Sequence, residues 1–167
     1  MPATTTQLIK ELRARTSAGV MDCKKALEES KGDIDEAESF LKEKGVASAA
    51  KKADRDTDQG LIDTYIHSGG RIGAMIEINC ETDFVARTND FAELAHDIAM
   101  QVAAMSPEFL TMKDAPENDT ATEDKCLLSQ PFIKDPSKTI QDLINETVGK
   151  LGENIRVRRF QRFSLGE

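Results

Sequence analysis

Apolar positions recur along the chain in two rhythms, and the change from one to the other divides it. The first stretch keeps a helical rhythm, with apolar residues three and four apart. Leu8, Ile9 and Leu12 share a face of a segment from about Thr5 to Arg15, which Ser17-Ala18-Gly19 breaks. A second helix is expected from about Met21 to Ser30, stopped by Lys31-Gly32. Asp33 then fits an N-cap, with Glu36 as its capping-box partner. Ile34, Ala37, Phe40 and Leu41 line a third helix to about Lys44, with Gly45 at the position of a C-cap. Val46 to Asp58 reads as a helical extension fraying into a charged linker. Lys51 and Lys52 form a solvated face there, and a boundary falls near residue 55.

Beyond the linker the rhythm is that of strands. Leu61–His67 and Ile72–Ile78 flank Ser68-Gly69-Gly70, a hairpin signal. The second strand empties into a short polar turn, Asn79-Cys80-Glu81-Thr82-Asp83-Phe84-Val85. A helix is expected from about Asp90 to Met105, with Phe91, Leu94, Ala95, Ile98, Ala99 and Val102 as its apolar stripe. Pro107 ends it, and Met112 to Lys125 is an acidic loop. Gln130-Pro131-Phe132-Ile133 is a short extended piece. Thr139 caps a last helix to Leu151, and Gly152-Glu153-Asn154 turns the chain into a final strand, Ile155 to Leu165. Two strands, two helices and a strand predict an antiparallel sheet with helices packed on one side, an α+β fold.

Composition narrows the function. In 167 residues, 39% are apolar and 31% charged, so the chain is globular. Net charge is −8, which disfavours bare nucleic acid because counterion release needs clustered Lys and Arg. Arg156, Arg158, Arg159 and Arg162 lie on the final strand, where alternation puts Arg156 and Arg158 on one face and Arg159 on the other. A strand paired with nearby carboxylates accounts for them better than RNA does. The three cysteines, Cys23, Cys80 and Cys126, have no Cys-x-x-Cys spacing, so neither a disulfide framework nor a zinc site is expected, and a reducing compartment suits them. No apolar run approaches ~18–20 residues, so no membrane span is expected. The residues from Met1 to Thr6 carry no apolar signal region.

No catalytic grouping assembles from spacing. His67 and His96 fall on different elements, no phosphate-cradling Gly-x-x-x-x-Gly-Lys loop is present, and Cys80 has no base placed beside it. No enzyme, cofactor or metal is therefore expected. One residue does stand out. Phe84 sits in a turn at the end of a strand, where rigid scaffolds present side chains outward. The competing reading is that it caps the core beneath the following helix, as most aromatics do.

Thr16-Ser17-Ala18-Gly19-Val20-Met21-Asp22-Cys23-Lys24-Lys25-Ala26-Leu27 and Cys80-Glu81-Thr82-Asp83-Phe84-Val85-Ala86-Arg87 resemble two signatures of the translation elongation factor Ts family. Gly152-Glu153-Asn154-Ile155-Arg156-Val157-Arg158-Arg159-Phe160 resembles a third. Gln130–Asp135, and His67 with Gly70-Arg71-Ile72-Gly73, match further pieces, in order over nearly the whole chain. The resemblance implies a three-helix ubiquitin-associated-like domain with its linker (residues 1–55), then an α+β core (residues 56–167) whose 106–129 loop is short. It also implies a cytoplasmic or organellar guanine-nucleotide exchange factor for elongation factor Tu, in its GDP-bound and nucleotide-free forms. In that reading Thr82, Asp83, Phe84 and Val85 disturb the partner's Mg²⁺ and phosphate site. Val20, Met21 and Lys24 contact its G domain, and His67 and Gly152 fall at or near it. The family often carries two Met where this chain has Val20-Met21. Short members pair, so a homodimer is implied. The alternative is a non-catalytic adaptor docking through the helical domain.

Overall fold

The computed structural model describes residues 5–16, 18–116 and 122–167. The element order is α1 (Thr5–Thr16), α2 (Val20–Glu29), α3 (Ile34–Lys52), β1 (Gln59–Ile66), β2 (Ile72–Cys80), α4 (Asp83–Ala86) and α5 (Asn89–Met105). It continues with β3 (Pro131–Phe132), β4 (Asp135–Thr139), α6 (Ile140–Leu151) and β5 (Ile155–Ser164). Contacts divide the chain into two units, Met1–Asp54 with Asn145–Gly152, and Arg55–Ile144 with Glu153–Glu167.

The first unit forms because three short amphipathic helices share one core. Leu12, Cys23, Ala26, Leu27 and Ala37 are buried at its centre, with Leu8, Ile9, Ala18, Ile34, Phe40 and Leu41 packed around them. Gly19 is the N-cap of α2 and offers no side-chain bond, while Asp33 caps α3 by accepting from the Glu36 amide at 2.9 Å. Between them Lys31 and Gly32 take positive φ, and the Gly32 amide donates to the Leu27 carbonyl, closing the end of α2. Ser17, part of the expected helix break, lies outside the described residues.

Gly45 does not end α3. The helix runs straight through it to Lys52, and Gly45 is buried. A Cβ placed there would lie 3.4 Å from the Asn145 carbonyl oxygen, and one placed on Gly149 of α6 would lie 3.5 Å from the Gly45 Cα. Gly45 thus faces α6 from inside the helix instead of forming a left-handed cap.

The second unit is built on a three-stranded antiparallel sheet in the order β1-β2-β5, so the central strand is the second in sequence. Ala74, Ile76, Ile78 and Cys80 of β2 are buried, and α5 packs across the sheet. The helix meets it with Phe91, Leu94, Ala95, Ile98, Ala99 and Val102, the stripe expected from the sequence. The opposite face of the sheet is open, with Ile62, Ile66, Met75 and Phe163 exposed.

Three features depart from expectation. A register shift opposite Glu77/Ile78 makes Arg158 an extra residue in β5, since Glu77 pairs with Arg159 and Ile78 with Val157. The bulge cancels the strict alternation. Arg158 and Arg159 both reach Glu77, at 3.6 and 2.7 Å. Secondly, the acidic stretch from Met112 to Lys125 holds two short 3₁₀ turns, Met112–Asp114 and Glu123–Lys125; residues 117–121 lie outside the described ones. Thirdly, the extended piece at Pro131-Phe132 belongs to a second hairpin with β4. A buried pair anchors that hairpin to α5. Gln101 Nε2 donates to Gln130 Oε1 and the Pro131 carbonyl, and its Oε1 accepts from the Ile133 amide. Thr139 and Asp142 then cap α6 reciprocally, each side chain accepting from the other's amide.

Candidate functional site

The polar turn after β2 is a single helical turn, α4, and its geometry follows from four residues. Cys80 is fully buried at the end of β2, and its thiol donates to the Thr82 carbonyl at 3.1 Å. Thr82 is the N-cap of α4, its hydroxyl accepting from the Val85 amide at 3.4 Å. Val85 is only 9% exposed and roots the turn in the core. Thr88 closes the turn, donating from its hydroxyl to the Val85 carbonyl at 2.8 Å, and caps α5 by accepting from the Phe91 amide. With the residues before and after it fixed, Phe84 is thrown outward and is 80% exposed, the highest value among the exposed large hydrophobics.

Burying this ring would have been the cheaper solution, since ~1.5–3 kcal/mol of transfer free energy is forgone by leaving a Phe side chain in water. Asp83, beside it, is half-exposed and paired with Arg87 one turn on, at 2.7 Å. The set Thr82, Asp83, Phe84 and Val85 therefore splits by role. Phe84 and Asp83 face out, Thr82 caps, and Val85 points inward.

Two glutamates far apart in sequence hold the turn from beneath. Glu153 Oε2 accepts from the amides of Glu81 at 3.1 Å and Thr82 at 3.0 Å, and its Oε1 accepts from the Thr82 hydroxyl at 2.6 Å. In return Glu81 Oε1 accepts from the Asn154 amide at 2.7 Å and from Arg55 at 3.3 Å. The Asn154 side chain donates to the Arg55 carbonyl at 2.9 Å. Glu153 thus holds the backbone of Glu81 and Thr82, and Glu81 holds that of Asn154, which gives Glu and Asn a role after Gly152. Neither glutamate announces itself by local periodicity, because the clamp closes over more than seventy residues.

Cys80 carries no nucleophilic chemistry here. Burial, first, and the nearby Glu153 charge push its thiol up to about 11. Asp63 and Asp97, beside an open depression on α5, are paired with His96 at 3.3 Å and Lys134 at 2.6 Å. Among the described residues no group of three or more His, Cys, Asp or Glu is arranged to hold a metal ion. No helix of the described residues is long and apolar enough to cross a membrane.

The remaining candidates sit elsewhere. Val20 and Met21 open α2 in the first unit and are both exposed, Met21 at 73%. Lys24, a turn on, is exposed and 3.8 Å from Glu28. His67 lies in the β1–β2 hairpin, at the opposite end of β2 from the Phe84 turn, roughly 25–30 Å away at ~3.3 Å per residue. Its Nδ1 is 3.2 Å from the Tyr65 hydroxyl. Gly152 has φ +79 and ends α6, its amide donating to the Val148 carbonyl. That conformation alone accounts for a glycine there.

A family model described as elongation factor TS matches residues 4–125 and 119–167. The chain is 47% identical to elongation factor Ts of Carboxydothermus hydrogenoformans over 194 aligned positions, covering 98% of this chain and 89% of that protein. It is 48% identical to elongation factor Ts of Moorella thermoacetica over 190 positions, covering 95% and 94%. Against elongation factor Ts of Methylacidiphilum infernorum it is 49% identical over 189, covering 96% and 94%. An alignment of 194 positions against 167 residues leaves at least 27 opposite gaps in this chain. The two stretches of the family match overlap at residues 119–125, within the acidic loop.

Proposed function

The chain belongs to the elongation factor Ts family, and on that premise we propose that it is a guanine-nucleotide exchange factor for elongation factor Tu. The observation that carries this reading is Phe84, an aromatic ring held out in solvent on a turn whose backbone is pinned from both sides. In the proposed mechanism the ring wedges between helices of the partner's G domain, with Asp83 close to the Mg²⁺ region. Mg²⁺ keeps few protein ligands and neutralises the nucleotide phosphates, so a small displacement loosens both. Thr82 and Val85 act by holding that pair in place.

One buried Phe contributes ~1.5–3 kcal/mol, roughly 10- to 150-fold in an equilibrium. That is too little to release a tightly held nucleotide. Val20, Met21 and Lys24, contacting the same partner, supply further binding energy for the distorted state. His67 and Gly152 are weaker candidates for the same interface. Residues 1–55 act in this scheme as a ubiquitin-associated-like docking domain, and residues 56–167 as the exchange core. Coupling between ligands is reciprocal, so GDP weakens this protein on its partner by the same factor that it weakens GDP.

The test is release of labelled GDP from purified elongation factor Tu, with and without the wild-type chain. Acceleration at sub-stoichiometric amounts supports exchange. Binding without acceleration would leave the adaptor reading standing instead.

We also propose that two copies pair. The open face of the sheet brings Ile62, Ile66, Met75 and Phe163 together, because Thr64, Met75 and Gln161 are cross-strand neighbours, as are Ile66, Gly73 and Phe163. A second copy would cover such a face through the same patch across a two-fold axis.

A further inference from the structure

We propose that Glu81 and Glu153 are positioning residues for exchange, acting through Phe84, an inference that rests on the exchange reading above. Three observations carry it. First, the contacts are crossed. Glu153 takes two consecutive amides and the Thr82 hydroxyl, while Glu81 takes the Asn154 amide. Such an arrangement fixes both the position and the tilt of the turn, where a single bond would leave a pivot. Second, the bonds end at the cap residue itself. Thr82 is the N-cap of α4, so any movement of Thr82 carries Phe84 with it. Third, the Phe84 ring is mostly in solvent, at 80% exposure. Its orientation follows the backbone beneath it, which the two carboxylates hold at Glu81, Thr82 and Asn154.

The physical role is preorganisation. A wedge that enters a partner already aligned loses little conformational freedom on binding, whereas a loose one must be ordered at that moment. Bonds from backbone amides to carboxylates are among the stronger ones available for this task. Removing Glu153 leaves the Glu81 and Thr82 amides without their acceptor and frees the turn. Global folding relies on the α5-covered sheet, which contains neither glutamate.

The test is a double-mutant cycle on labelled-GDP release from elongation factor Tu, using wild type, Glu153→Ala, Phe84→Ala and the double variant. Glu153→Ala is expected to lower the maximal release rate about ten-fold, with its half-saturating concentration changed less than about three-fold. Glu153→Gln, which keeps an oxygen acceptor for the two amides, restores most of the rate. In the Phe84→Ala background the Glu153→Ala change has no further effect, because its target is gone. Amide hydrogen exchange at Glu81 and Thr82 accelerates in Glu153→Ala while the amides of the central strand stay protected. Additive losses in the cycle, or unchanged exchange at Glu81 and Thr82, overturn the positioning role while leaving the exchange reading intact. A folded wild-type chain that accelerates nothing overturns the exchange reading first, and this role with it.

Discussion

A single ring concentrates the physical oddity of this molecule. Phe84 stays in water at 80% exposure while its neighbours Cys80 and Val85 are buried, and only a partner could recover the apolar area it leaves unburied. Truncating it removes the proposed wedge but none of the core. Phe84→Ala is therefore expected to cut accelerated GDP release ten-fold or more, of the order of one buried Phe. Affinity for the nucleotide-free partner falls less, and the thermal midpoint stays near wild type. Stopped-flow release and a melting curve check both halves, and unchanged release from a folded variant would falsify the role. Lys24→Ala should weaken binding without altering the fold, since Lys24 is exposed and makes only a 3.8 Å ion pair on its own helix. The residue scale also marks where reading the sequence stopped short. Phe84 could be picked out from its place after a strand, but the inward turn of Val85 could not. Which side of a one-turn helix faces the core depends on what lies below it.

At the scale of elements, two glycines and one bulge decide how strands and helices meet. Gly60 has φ +150, and a Cβ there would fall 2.1 Å from the Ile78 carbonyl oxygen in the neighbouring strand. Both the backbone conformation and the close approach exclude a side chain, so Gly60→Ala should cost about 2–4 kcal/mol, measurable by urea unfolding. Gly45 differs. It lies within α3, its Cβ site is at ordinary contact distance, and glycine in a helix interior is itself unfavourable. Gly45→Ala is therefore tolerated, while a long side chain at the same position separates α3 from the Asn145–Gly152 segment of α6 and lowers the midpoint.

The bulge opposite Glu77 gathers Arg158 and Arg159 onto one carboxylate. The Arg159 bond, the largest cause, holds the Glu77 carboxyl below its ordinary range. A depressed folded value means that the stabilisation is complete above the ordinary carboxylate range and lost as pH falls through the depressed one. The gap in thermal midpoint between wild type and Glu77→Gln should thus shrink on going from neutral pH to about pH 3, a range below the ordinary carboxylate value. A constant gap would remove Glu77 from the acid response. Strand alternation alone assigned Arg158 and Arg159 to opposite faces, because an inserted residue leaves no trace in the pattern of polar and apolar positions.

For the whole molecule, the exposed face of the sheet bears on the pairing of copies. The exposed Ile62, Ile66, Met75 and Phe163 predict that Met75→Glu shifts the chain toward monomer in sedimentation at micromolar concentration, with its melting curve little changed because Met75 faces away from α5. A wild-type chain that sediments as a monomer throughout sinks the pairing proposal.

Periodicity and caps were enough to place helices, strands and the α5 stripe, because apolar spacing reports which face an element must bury wherever it lies. Family motifs were legible for the same reason that they are contiguous. The reciprocal clamp of Glu81 and Glu153, the inward turn of Val85, the run of α3 through Gly45 and the β5 bulge were not. Each is a contact between segments distant along the chain, as with the bonds from Glu153 to Glu81 and Thr82. A one-dimensional pattern records what each segment prefers by itself. Only the folded chain decides which two segments meet, and hence whether a glutamate is one more surface charge or the hand that steadies the ring.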